Sequence, residues 1–143
     1  MRTLTILTLL IIVTLFSVSC SRKPDRGTVP VKVTIRYNGE PVNEAIIVFS
    51  SPQHYASGLT DKSGVAEMET FTLKDGAIPD EYKVAVSKTE LIEKLDTKKP
   101  AGENVISSET KYHIPAKYST AETSGLTVNV TKEGKNEFVF ELE

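Results

Sequence analysis

One cysteine, no tryptophan and two histidines are what 143 residues offer for disulfide, stacking and metal chemistry. A lone cysteine, Cys20, closes no internal disulfide, and a chain of this length holds a core without one. Zinc needs at least three protein ligands. His54 and His113 are well separated, each beside a tyrosine (Tyr55 and Tyr112) in a polar setting, and both read as exposed surface residues. Asp61, Asp75 and Asp80 all fall in predicted loops, but no sequence cluster supplies the six to eight oxygens that calcium takes. Metal and cofactor are therefore left out. A nucleophile motif, a phosphate-cradling glycine loop and a Cys–His pair are missing too. No catalytic residue is assigned, and the chain reads as a non-enzyme. Basic charge is not in excess: 17 Lys and Arg stand against 19 Asp and Glu, for a net −2. With no basic run interleaved with aromatics, that excludes a nucleic-acid footprint. The missing tryptophan weakens the case for a sugar-stacking platform.

What is present begins with an apolar leader. Met1-Arg2 supplies a short positive start. Leu4 to Val18 is then apolar except for Thr5, Thr8, Thr14 and Ser17. As a helix this run spans about 22 Å, short of the ~30 Å hydrocarbon core. Ser19-Cys20-Ser21-Arg22-Lys23-Pro24-Asp25 follows, small residues and then polar ones, which describes a signal peptide over 1–19. An ordinary secretory leader and a retained helix are the competing readings. Ser17-Val18-Ser19-Cys20 resembles the lipobox of bacterial lipoproteins, with Ser19 at the small position and Ser17 where leucine is usual. The resemblance implies cleavage before Cys20 and acylation of that residue. Because Ser21 rather than aspartate follows, it also implies the outer membrane of a diderm bacterium. Two or more acyl chains anchor stably where one does not. Residues 20–27 read as a flexible tether.

The remainder, 28–143, is patterned for strands. Val29, Val31, Val33, Ile35 and Tyr37 alternate with Thr28, Pro30, Lys32, Thr34 and Arg36, the period of a half-buried strand. Pro30 suggests that this strand starts at an edge. Asn38-Gly39 marks a turn. Ala45 to Phe49 is a continuous apolar run, short enough for a strand buried on both faces. Ser57–Thr60 and Val65–Phe71 are the next strands, the latter with Ala66 and Met68 inward. Between them, Asp61 is placed to close an Asx turn before Gly64. Tyr82, Val84 and Val86 alternate, as do Leu126, Val128 and Val130, then Phe138, Phe140 and Leu142. Gly134 between the last two sets predicts a terminal hairpin. About seven short strands at such spacings argue for an all-β sandwich.

Residues 88–125 break the pattern. Leu91, Ile92 and Leu95 have helical spacing and predict a short helix at about 89–96, followed by a polar loop over 97–111. A connection this long is functional or mobile. Ile114-Pro115-Ala116-Lys117-Tyr118 is expected to pack back onto the sandwich rim.

Taken in order, Val31–Tyr37, Asn38-Gly39-Glu40-Pro41-Val42, the apolar strand to Phe49 and Thr60-Asp61-Lys62-Ser63-Gly64 resemble the carboxypeptidase regulatory-like domain. Glu81–Val86, Ile114–Tyr118, Thr123–Val130 and Asn136–Leu142 extend the resemblance to small bacterial lipoproteins that carry this one domain. It covers nearly all of 28–143. It implies a seven-stranded transthyretin-like (prealbumin-like) Greek-key β-sandwich. Hydroxyisourate hydrolase, the enzyme of this fold, relies on a tyrosine-containing C-terminal tetrapeptide, whereas this chain ends in Phe138-Val139-Phe140-Glu141-Leu142-Glu143. The expectation is a cell-envelope lipoprotein, held to the membrane through lipid on Cys20, whose non-catalytic sandwich binds a protein or glycan partner. A structural envelope module without a defined ligand is the alternative. No residue is assigned to ligand binding.

Overall fold

The computed structural model describes residues 26–95, 98, 100 and 105–143, with backbone alone at Leu95 and Val105. The leader 1–19, Cys20 and the tether up to Asp25 lie outside the described residues.

Strand β1 (Val31–Tyr37) buries Val31, Val33 and Ile35 and exposes Lys32 and Arg36, as its alternation requires. Asn38 and Gly39 both take positive φ, 52° and 82°. That is the primed turn a two-residue hairpin needs, and it sends the chain into the short β2 (Glu40–Pro41). Next come β3 (Ile46–Ser50), β4 (Tyr55–Leu59), β5 (Val65–Glu67) and β6 (Asp80–Ser87). β7 (Thr89–Leu95), β8 (Val105–Tyr112), a 3-10 turn at Ala116–Ser119, β9 (Leu126–Val130) and β10 (Asn136–Leu142) complete the chain.

Two four-stranded sheets form from these, giving an all-β, sandwich-like fold. In the first, β1 runs parallel to β10 on one side and antiparallel to β5 and β2 on the other. The second is antiparallel throughout, in the order β4–β3–β6–β9. Their apolar faces share one core, with Ile35, Val33 and Leu142 from the first sheet meeting Phe49, Tyr82, Val84 and Val130 from the second. The Phe49 ring lies 5.5 Å from that of Tyr82 and 6.4 Å, edge-on, from that of Phe138. Tyr82 satisfies its hydroxyl by donating to the Ile78 carbonyl (2.7 Å), and burial pushes its pKa up to about 12. After β5, Ser57 and Glu69 exchange backbone hydrogen bonds of 2.9 and 2.7 Å, which stitch the two sheets along one side.

Several expectations are corrected. The short helix expected at about 89–96 is not found over its described residues: β7 occupies Thr89–Leu95, and β8 takes up much of the expected loop. Thr89, Leu91 and Glu93 alternate with Glu90, Ile92 and Lys94, and a strand partner across the ribbon outweighs the chance helical spacing of three apolar residues. The terminal hairpin does not form. β9 belongs to the second sheet and β10 to the first, and Asn136 clamps the crossover by bonding both the N–H and the carbonyl of Thr131 at 3.0 Å. β1 is flanked on both sides rather than edge-placed. Pro30 precedes its first ladder residue, so the ring deprives no ladder of a donor. β3 is buried on one face only: Ile47 and Phe49 point inward, while Ile46 is 51% exposed on an uncovered outer face.

Candidate functional site

Part of the 88–125 segment stands apart from the sandwich as a ribbon of two strands, β7 and β8, which pair only with each other. Its base is fixed by a 2.9 Å hydrogen bond from the His113 N–H to the Lys88 carbonyl. From there the chain returns to the body. Ile114 and Tyr118 are buried in the common core, and the Tyr118 hydroxyl bonds both the carbonyl and the N–H of Glu143 (3.2 and 3.1 Å). The rim packing expected for Ile114–Tyr118 is thus present. Ser124 anchors the same connection by donating to the Val84 carbonyl.

Directly opposed residues of an antiparallel pair share a face. One face of the ribbon therefore carries Thr89 with Tyr112, Leu91 with Thr110 and Glu93 with Ser108, a surface with one charge. The other carries Glu90 with Lys111, Ile92 with Glu109 and Lys94 with Ser107. His113 joins this charged side, its Nε2 3.2 Å from Glu90 Oε2. Lys94 faces Ser107 and Leu95 faces Val105, so Ile106 is an extra residue that bulges β8. Leu91 and Ile106 are each 61% exposed and Tyr112 is 50% exposed. These apolar side chains lie outside the common core, on an element that pairs with neither sheet of the sandwich.

A second cluster sits where the β3–β4 loop meets the start of β6. Asp80 Oδ2 accepts from Ser51 Oγ at 2.7 Å and lies 2.8 Å from His54 Nδ1. Ser51 Oγ in turn accepts the His54 N–H at 2.9 Å. His54 is half-buried and paired, not the exposed residue expected. The hydrogen bond from His54, then that from Ser51 and the Glu81 N–H, hold the Asp80 carboxyl below the ordinary range. An open hollow of about 560 Å³ lies alongside, lined by Ser51, Asp80, Lys83 and Glu122 among others. The Ser51 hydroxyl is spent on the carboxylate rather than directed at the imidazole, so the trio lacks the nucleophile–base contact of a hydrolase. It works as a polar clasp between loop and strand.

That clasp has a pH signature. Asp80→Asn removes a carboxylate whose folded pKa is depressed, so the stability it contributes is present above the ordinary aspartate range and fades as pH falls through the folded value. Urea titrations are expected to show D80N less stable than wild type at neutral pH, with the two converging in acid. An equal deficit at both pH values would count against the clasp.

The remaining predicted loop carboxylates serve their own turns. Asp61 Oδ1 accepts the Ser63 N–H (2.8 Å), the Ser63 hydroxyl (2.6 Å) and the Val65 N–H (3.1 Å), which is the Asx turn expected from the sequence. Asp75 accepts the backbone N–H groups of Thr70, Phe71 and Thr72. Burial works to raise its pKa, and these bonds outweigh it, leaving the carboxyl below the usual range. Among the described residues no three His, Cys, Asp or Glu side chains are grouped to hold a metal ion. None of the described helices is long and apolar enough to cross a membrane.

His54–Asp80 was not foreseen from sequence because 26 residues separate the pair. The signal was the turn chemistry of Ser51-Pro52-Gln53-His54, which the Ser50↔Lys83 register sets beside the start of β6. No protein-family model, curated protein or solved structure matches this chain.

Proposed function

We propose that this chain is a cell-envelope lipoprotein, acylated on Cys20 and held at the outer membrane of a diderm bacterium, whose non-catalytic domain engages a protein or glycan partner through the β7–β8 ribbon. The ribbon carries the reading: Leu91, Ile106 and Tyr112 are exposed on a two-stranded element that pairs with neither sheet of the sandwich. The finer fold reading is a seven-stranded transthyretin-like Greek key of the carboxypeptidase regulatory-like kind. It is supported by the strands left when β2 and the ribbon are set aside. They number three and four in the orders β5–β1–β10 and β4–β3–β6–β9, and the chain crosses between sheets more than once. The anchor rests on the leader and on the small residue before Cys20. Each buried methylene of an acyl chain adds about 0.8 kcal/mol of membrane affinity.

Intact mass with membrane fractionation tests the anchor. The expected species begins at Cys20, carries acyl mass and pellets with membranes, and Cys20→Ser loses both properties. A soluble wild-type species cut at another residue would overturn it. The partner is tested by pull-down from envelope extracts with the wild type and with a variant whose residues 90–111 are replaced by a short Gly/Ser turn. Material captured by the first and lost with the second is the expected result. Equal capture by both favours a structural module without a defined ligand.

A further inference from the structure

We infer that the free edge of β7 pairs with β7 of a second copy of this chain, antiparallel about a two-fold axis through Ile92, so that two ribbons join into one four-stranded sheet. The inference deepens the reading of the ribbon as a binding element, and its location at a membrane rests on the proposed anchor.

β7 has β8 on one side and no described strand on the other. An unpaired edge of this length is a template for another strand unless it is blunted by a bulge, a proline or an inward charge. β8 carries the bulge at Ile106, whereas β7 is a continuous run, Thr89-Glu90-Leu91-Ile92-Glu93-Lys94-Leu95, without proline or glycine.

The side-chain pattern then selects the partner. In antiparallel pairing about a two-fold axis perpendicular to the sheet, opposed residues come from the same face and lie symmetrically about the central one. Centring on Ile92 sets Glu90 opposite Lys94 of the other copy, and Lys94 opposite its Glu90, on either side of an Ile92–Ile92 contact. Each Glu–Lys pair is the favourable cross-strand kind, and Ile92, 46% exposed in the single chain, becomes covered. Moving the centre to Leu91 sets Lys88 against Lys94. Moving it to Glu93 sets Glu93 against its own copy and leaves Lys94 facing Ile92. Of these three registers only the Ile92 centre pairs opposite charges around an apolar contact on one face, while on the other face it sets Leu91 against Glu93. β8 has a similar charge register about Thr110, with Glu109 against Lys111, but it places a threonine rather than an apolar residue at the centre.

A seven-residue edge spans only about 23 Å. That is a small interface of the kind that stays weak in free solution. Confining both copies to one membrane raises their effective concentration, which is how a weak contact becomes an occupied one.

Oxidative crosslinking of the full-length chain in its envelope tests the pairing. Opposed Cα atoms in an antiparallel pair lie about 4.5–5.5 Å apart, within disulfide reach. Ile92→Cys is expected to give a disulfide dimer in excess over wild type, and Leu91→Cys and Thr110→Cys are not. Glu90→Lys in the Ile92→Cys background sets like charges opposite at two points and is expected to cut the dimer yield about tenfold. Adding Lys94→Glu restores the complement and the yield. All these side chains are exposed and outside the core; Glu90→Lys also meets Lys111 and His113 of its own ribbon, which Lys94→Glu does not relieve, so recovery with Lys94→Glu reports the contact between copies. Equal yields from Ile92→Cys and Leu91→Cys, preferential crosslinking at Thr110→Cys, or a charge reversal without effect would each overturn the pairing. Wild type, whose only cysteine is Cys20, reports on the anchor separately. A wild-type dimer reveals a free Cys20 thiol and counts against acylation, whereas the absence of an excess at Ile92→Cys counts against the pairing.

Discussion

Phe49→Ala is expected to lower the free energy of unfolding by about 3–5 kcal/mol, in the range of large-to-small changes at fully buried aromatic sites. Phe49 is wholly buried in the middle of the second sheet, and its ring touches Tyr82 of the same sheet and Phe138 of the other. Truncation removes apolar burial and both ring contacts together. The neighbours are poorly placed to collapse into the void, because Ala56, directly opposite on β4, is already small, and Tyr82 is tied to the Ile78 carbonyl through its hydroxyl. Urea unfolding monitored by circular dichroism measures the loss, and an unchanged slope with denaturant shows that the folded state itself is retained. Ile46→Ala, three residues away on the uncovered face, is the control and should stay near about 1 kcal/mol or less. A Phe49→Ala deficit no larger than that of Ile46→Ala would contradict the joined core.

Gly76→Ala is expected to be about as damaging, for a backbone reason. Gly76 has φ +89°, and a Cβ built there falls 1.8 Å from the Val29 carbonyl oxygen. That oxygen accepts the Ala77 N–H (3.0 Å), and the Val29 N–H donates to the Ala77 carbonyl (2.9 Å). A methyl group at residue 76 must push the 28–30 segment off this bridge. The left-handed conformation costs a non-glycine residue about 1–2 kcal/mol, and two lost backbone hydrogen bonds add about 0.5–1.5 kcal/mol each. The sum is about 2–5 kcal/mol. Gly125 separates the two causes: it has φ +69° but open space around it, so Gly125→Ala should show the conformational cost alone. Equal effects of the two substitutions in the same urea titration would mean that the Val29 contact is immaterial.

How far the sequence could be read follows from where its patterns are local. The alternation in Val31–Tyr37, the Asn38-Gly39 turn and the Asp61 Asx turn each involve only a few neighbouring residues, and all three are in place. What was misread depends on residues far along the chain. Nothing within Leu126–Leu142 reveals that β10 leaves β9 to lie beside β1, because both strands have the same alternation whichever sheet they join. Ile46 looked buried because an apolar run carries no sign of whether its outer face will be covered. The ribbon left no such local pattern. Its pairing does not show in its hydropathy, since Leu91-Ile92 and Val105-Ile106 set apolar residues side by side, and three apolar residues at helical spacing gave the stronger local signal. The Ser51–His54–Asp80 clasp needed the register of β3 against β6 before its members could be seen as neighbours.

The parallel pairing of β1 with β10 bears on the order in which this chain acquires structure. Val31 waits for Asn136, and Tyr37 for Leu142, so the central strand of the first sheet is made well before the strand that completes it. Contacts this remote in sequence slow folding, because the chain must close a long loop before it gains anything from them. The second sheet, whose β3–β4 hairpin is local, is free to organise earlier. A nascent or truncated chain lacking its last seven-residue strand keeps β1 with one bare side, the form in which it is most exposed to joining the wrong neighbour.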